Sequence, residues 1–199
     1  MGAVKVVGID LAGVESRETG FCALEDMKAK TRLVYTDEEI VQLCVDEEPE
    51  VVAIDAPLAL PKGRKSLEER GDVHLRECDR ELLRMKIRFF PVTLGPMRKL
   101  TKRGIGLREK LERRGLKVIE VYPGAAQDVL GIPRKQKGPL KLREGLEKLG
   151  IKGLSEVVND HELDAVTSAL VGKMYVEGDF LAIGNPEEIL MILPKIKKL

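Results

Sequence analysis

The sequence predicts an α/β fold: a five-stranded mixed sheet flanked by helices, with a basic helical insertion and a C-terminal hairpin. Three observations carry this expectation. Three short strand patterns at the N-terminus run without a helix between them, which suits a meander. A helical pattern then leads into the apolar run VVAID, as in a crossover between parallel strands. Further apolar runs of strand length, KVIEV and the halves of FLAIGNPEEILMIL, alternate with helical periodicity. With 199 residues, 43% hydrophobic and 34% charged, there is material for one core, and residues 1–199 are expected to form one domain.

The elements follow in order. Val4 to Asp10 is nearly continuous aliphatic sequence, while Gly20 to Glu25 and Thr31 to Thr36 alternate more. Asp37 opens DEEIVQLCVDEE, with Ile40, Val41, Leu43 and Cys44 at helical spacing and acids in the first turn, where the helix dipole favours them. Pro49 ends that helix, and Val51 to Asp55 reads as a buried parallel strand closed by Pro57. Residues 61–114 exceed an ordinary connection and carry helical patterns near Val73 to Lys86 and Gly106 to Arg114, so they are expected to form an insertion and to act as a lid. Between these helices FFPVTLGP reads as loop; its Phe89-Phe90 pair is assigned to core packing, which leaves no aromatic platform for single strands. Lys117 to Val121 is the next strand, stopped by Tyr122-Pro123-Gly124. Asn159-Asp160 offers N-cap chemistry for a helix from His161 to Val176, whose Ala165, Ala169 and Gly172 form a stripe narrow enough for close packing on a sheet.

Composition narrows the function classes. No stretch approaches the roughly 18 apolar residues of a membrane span, and the N-terminus enters a strand without a cleavage site, so no membrane partner and a cytoplasmic location are expected. Cys22, Cys44 and Cys78 are scattered singly, which suggests neither a disulfide framework nor a zinc site. The net charge of +1 conceals an asymmetry: −8 over residues 1–60, +13 over 61–152 and −4 over 153–199. A basic middle between acidic ends sets a cationic surface beside an anionic centre, the arrangement an enzyme acting on a polyanion needs; the alternative is a solvated, salt-bridged helical surface.

Acidic residues mark the candidate centre. If the first and fourth strands are parallel neighbours, Asp10 and Asp55 close them at the same edge of the sheet. Two carboxylates at close range repel unless a cation lies between them, and hard oxygen ligands favour Mg²⁺ or Mn²⁺. His161 and Asp164, three residues apart on the late helix, share a face, as do Asp160 and Asp164. Glu120 ends another strand expected to be parallel and is a further catalytic candidate. Arg76 and Arg80, one turn apart in RECDR, are spaced to clamp a phosphate, with Asp79 between them.

The segments VGIDLAG, AIDAPLALP, RECDRELLR, IEVYPGAA and HELDAVTSAL resemble, in order and over most of the chain, the family numbered 429 among domains of unknown function, whose members are described as predicted nucleases of the RNase H-like fold. HELDA is also similar to the His-x-x-Asp-Ala helix motif of RuvC-type Holliday-junction resolvases, where both residues act at the metal site. That resemblance implies roles for His161 and Asp164 as metal ligands beside Asp10 and Asp55, although resolvases place Glu where this chain has Asp55. It further implies hydrolysis of a nucleic-acid phosphodiester, DNA or RNA, by a two-metal mechanism. Two other functions remain open. GIDLAG resembles the phosphate loop of actin-like ATPases and sugar kinases, which implies a nucleotide-dependent phosphotransferase, and a non-catalytic nucleic-acid-binding module would use the basic surface alone. Monomer and homodimer are both compatible with the sequence.

Overall fold

A computed structural model describes residues 2–156 and 159–195. Strands β1 (Lys5–Asp10), β2 (Thr19–Glu25) and β3 (Lys28–Val34) form the N-terminal meander. Strand β3 starts three residues before its expected position, because Asp26 adopts a positive φ of 52° and closes a tight turn. It is an edge strand with Lys28 and Lys30 exposed, the kind of edge that discourages pairing with another chain.

Helix α1 (Asp37–Glu47) begins where Thr36 accepts the Glu39 amide, and it crosses to β4 (Val51–Asp55). Strand β4 runs parallel to β1 with Asp10 opposite Asp55. After α2 (Glu77–Arg84) and α3 (Gly95–Glu112) comes β5 (Val118–Val121), parallel to β4. Then follow α4 (Pro123–Leu130), α5 (Pro139–Lys148), α6 (Asp160–Glu177), β6 (Phe180–Ile183) and β7 (Met191–Pro194). The C-terminal pair is antiparallel, as expected of a hairpin, but β7 also pairs in parallel with β5. The sheet therefore has seven strands in the order β3-β2-β1-β4-β5-β7-β6, two more than predicted, because the hairpin extends it instead of standing apart.

Side chains alternate across this sheet and create two cores. Val7, Ile9, Val52 and Ile54 face α1 and α3, where Ile40, Cys44, Leu107 and Leu111 are buried. Val6, Val51 and Ala53 face the opposite way, toward α6. The expected small-residue stripe of α6 is where it meets the sheet. A methyl group on Gly8 would lie 2.1 Å from the Ala165 carbonyl oxygen, and one on Gly20 would lie 2.1 Å from that of His161. Glycine at both strand positions thus lets α6 lie directly on β1 and β2.

The 61–114 segment is less separate than an inserted lid. Helix α3 begins eleven residues before its predicted start, with Pro96 in its first turn, and buries Leu107 and Leu111 in the main core. Arg103 ties it down, bonding Asp37, the Ala12 carbonyl and the Tyr35 carbonyl. Helix α2 is anchored elsewhere: Glu188 accepts the backbone N–H groups of Lys62 and Glu77, and Glu81 accepts that of Gly184. Helix α4 begins at Pro123, so the Tyr-Pro-Gly that ends β5 also starts a helix. Cys22, Cys44 and Cys78 are buried and free, and no helix among the described residues is long and apolar enough to cross a membrane.

Candidate metal centre

Parallel pairing of β1 with β4 sets Asp10 beside Asp55, and the close seat of α6 brings Asp164 down to them. One ligand oxygen from each of these three aspartates lies within 4.8 Å of the others. Asp10 and Asp164 are buried, at 8% and 5% exposure, so the shared negative charge has little water to solvate it. Helix α6 is fixed at this end by a capping box: Asn159 accepts the Glu162 amide and Glu162 accepts that of Asn159. Asp160, in the first helical turn, lies outside this three-oxygen group.

The electrostatics match a site short of positive charge. Burial and the facing carboxylates of Asp10 and Asp164 hold the Asp55 carboxyl well above its usual 3.8. Burial and Asp10 also raise Asp164, although Lys135 and Gln127 oppose them. His161 Nδ1 lies 2.8 Å from Asp10 Oδ2, and that bond raises the imidazole above its usual 6.5. As a metal ligand His161 would have to present its other ring nitrogen or give up this contact.

Two neighbours had no signature in the sequence. Lys135 Nζ lies 2.7 Å from Asp164 Oδ2 and 3.9 Å from Asp10 Oδ2. Burial disfavours its charge, but the two carboxylates prevail and raise its pKa. Gln127, on α4, donates to Asp164 Oδ1 at 2.8 Å and to the Thr167 hydroxyl at 3.1 Å, fixing the carboxylate plane. Lys135 sits in the lysine-rich RKQK, where nothing distinguishes it from Lys137, and Gln127 lies on α4, whose start is hidden in the Tyr-Pro-Gly that stops β5.

Glu120 and Arg76 are placed differently from the aspartates. Strand β5 pairs Glu120 with Ile54 and Val121 with Asp55, and this offset of one residue turns Glu120 to the opposite face of the sheet from Asp55. There Arg76 donates to both its oxygens, at 2.6 and 2.7 Å, and the Leu58 amide donates to one of them at 2.8 Å. Asp79 accepts the Arg76 amide and lies 3.5 Å from its guanidinium. Arg76 is 1% exposed, whereas Arg80 is on the surface and pairs with Glu77. The expected clamp is thus divided, because the N-cap geometry of α2 turns Arg76 inward.

The family model described as "Protein of unknown function (DUF429)" matches residues 8–189. The chain belongs to this family. No curated protein matches it. Among solved structures, Thermus thermophilus RuvC in complex with a Holliday junction substrate is similar at 17% identity and a TM-score of 0.52, covering 88% of this chain and 96% of that one. A further Thermus thermophilus RuvC structure gives 16% identity and a TM-score of 0.47, over 88% and 97%. The DUF429 chain therefore has a RuvC-like fold of the RNase H type, and its aspartate cluster lies at the edge where β1 and β4 end.

Proposed function

We propose that this DUF429 protein is a metal-dependent phosphodiester hydrolase, a nuclease that acts on DNA or RNA with Mg²⁺ or Mn²⁺. One observation carries the reading: oxygens of Asp10, Asp55 and Asp164, distant along the chain, converge within 4.8 Å. The donor set fits hard divalent cations, since all three groups are carboxylates. The raised Asp55 carboxyl and the close approach of Lys135 both point to a cluster that draws in positive charge.

Asp10, Asp55 and Asp164 would hold the cations, in the paired arrangement that phosphodiester hydrolases use. Bound there, the divalent ions supply Lewis-acid polarisation of phosphoryl oxygens and a water nucleophile at neutral pH. The side chains do the positioning. Gln127 keeps the Asp164 carboxylate in one plane, and His161 restrains Asp10 from the solvent side. Lys135 balances two carboxylates of the cluster, and with those carboxylates engaged by cations it would donate to a phosphoryl oxygen. Glu120, Arg76 and Asp79 serve instead as an internal strut between β5 and α2.

The test is hydrolysis of bis(p-nitrophenyl) phosphate and of a panel of single-stranded, duplex and four-way DNA and RNA with Mn²⁺ or Mg²⁺. Cleavage is expected to be lost on adding EDTA and to fall at least about a hundredfold in Asp10→Asn and Asp164→Asn. Cleavage unaffected by both substitutions would reject the site.

A further inference from the structure

The Phe89-Phe90 pair is not simply core. Phe90 is 69% exposed, the most exposed of the large hydrophobic side chains on this surface, while Phe89 is half-buried against the cluster formed by Cys78, Leu82 and Ala125. Both rings, with Tyr122, separate two concavities. On one side is a cavity of about 200 Å³ with a largely apolar wall that includes Val92, Met97 and Leu100; at its polar end lie Asp55 of the carboxylate cluster and the ion-paired Arg76, Asp79 and Glu120. On the other is a broader groove of about 800 Å³ lined by Lys86, Arg88 and Arg134. Lys86 and Arg88 are exposed and have no acidic partner among the described residues. The strap bearing the two phenylalanines is tied to the end of β5, since Tyr122 Oη donates to the Arg88 carbonyl at 2.6 Å, and the Arg134 guanidinium lies 5.6 Å from the Tyr122 ring centre.

We infer that this strap is a single-strand platform: unpaired bases stack on Phe90 and enter the cavity behind it, while Lys86 and Arg88 follow the phosphates toward Asp10, Asp55 and Asp164. The inference rests on the hydrolase reading and narrows its substrate to an unpaired or splayed strand. Each component has a physical reason. An exposed aromatic face beside a cationic groove is how proteins bind single strands without sequence preference, because every base offers a π-face. In a duplex those faces are covered by neighbouring base pairs and are not available to Phe90. The cavity has room for one planar ring system, as an apolar cavity of about 150 Å³ accommodates benzene. Because Asp55 lines it, a base held there brings its own phosphate next to the carboxylates.

The experiment measures binding apart from cleavage. Affinities of the full-length protein for a 15-nucleotide single strand and for the corresponding duplex are compared in EDTA, for wild type, Phe90→Ala, Phe90→Trp and Arg88→Gln. Phe90 is on the surface, so Phe90→Ala is expected to fold, which its melting curve verifies. Wild type is expected to prefer the single strand at least about tenfold, Phe90→Ala to lose about tenfold in single-strand affinity, and Phe90→Trp to retain it. Arg88→Gln is expected to lower the salt dependence of single-strand binding by about one ion. Equal affinity for both forms, an unchanged Phe90→Ala, or no binding at all would overturn the platform. Hydrolysis of bis(p-nitrophenyl) phosphate by the same wild-type preparation judges the hydrolase reading separately. Turnover without Phe90-dependent binding removes the platform alone, and Phe90-dependent binding without turnover supports the platform and removes the hydrolase.

Discussion

Two groups of buried charge lie on either side of the same sheet, and they have solved the burial problem in opposite ways. Around Arg76, the two terminal guanidinium nitrogens meet both Glu120 oxygens through short bonds, and Asp79 accepts the Arg76 amide and lies near its guanidinium, so the opposite charges are matched within the protein and only the Arg76 Nε goes without a partner. Around Asp10, three carboxylates face one another with Lys135 as the nearest full cation and His161 at the margin. A buried charge that brings its own counter-charge is a structural joint. A buried excess of one sign is a binding site for the other, because its strain is relieved only from outside.

That contrast predicts effects of opposite sign. Removing one member of the closed group leaves an uncompensated buried charge, so Arg76→Met is expected to lower unfolding free energy by about 3–5 kcal/mol, measured by urea denaturation. The open group should respond in the other direction. In EDTA at neutral pH, Asp55→Asn is expected to raise the melting temperature, since its carboxyl is held above its usual pKa in the folded state and its charge opposes folding there. Equal destabilisation by the two substitutions would erase the distinction between joint and site.

The next largest effect concerns how the open group is assembled. Gly20→Ala would force α6 away from β2 at the turn that carries His161. A loss of about 1–3 kcal/mol is expected from overpacking, and hydrolysis should fall by more than the unfolded fraction explains, because Asp164 moves with the helix. Unchanged turnover per folded molecule would show that the seat of α6 does not set the site.

Asp37 gives a smaller, pH-dependent comparison, a second paired charge near the surface. Burial pushes its carboxyl up, but Lys110 and Arg103 pull it below the usual 3.8. Since the folded value is depressed, the stabilisation is present above the unfolded value of 3.8 and is lost as pH falls through the folded one. Asp37→Asn should therefore be less stable than wild type at pH 7, with the gap closing below about pH 4. A gap that persists in strong acid would place the effect in packing, not charge.

The contrast between the two groups also explains what the sequence could tell. Asp10, Asp55 and the Asp164 helix were legible because strand ends and a helix cap have local signatures, and parallel pairing then brings them together by topology. Glu120 carried the same signature, an acid closing a parallel strand, yet an offset of one residue in pairing with β4 sent it to the other face. Register is a tertiary property and leaves no mark in five residues of IEVYP. Lys135 and Gln127 were missed for a related reason: the first is one lysine among several, and the second sits on a helix concealed behind the strand-stopping Tyr-Pro-Gly. The exposure of Phe90 was equally hidden, since an aromatic pair reads as core until the strap that carries it is seen to run along the surface.

The central claim is that Asp10, Asp55 and Asp164 meet in order to hold a divalent cation. Thermal melting of wild type and Asp164→Asn in EDTA, then with increasing MnCl₂ or MgCl₂, tests it most directly. Wild type is expected to gain about 2.7 kcal/mol at a hundredfold excess over Kd, a rise of roughly 5–10 °C, and Asp164→Asn to gain little. A wild-type curve indifferent to both cations, or a variant that responds as strongly as wild type, would contradict it.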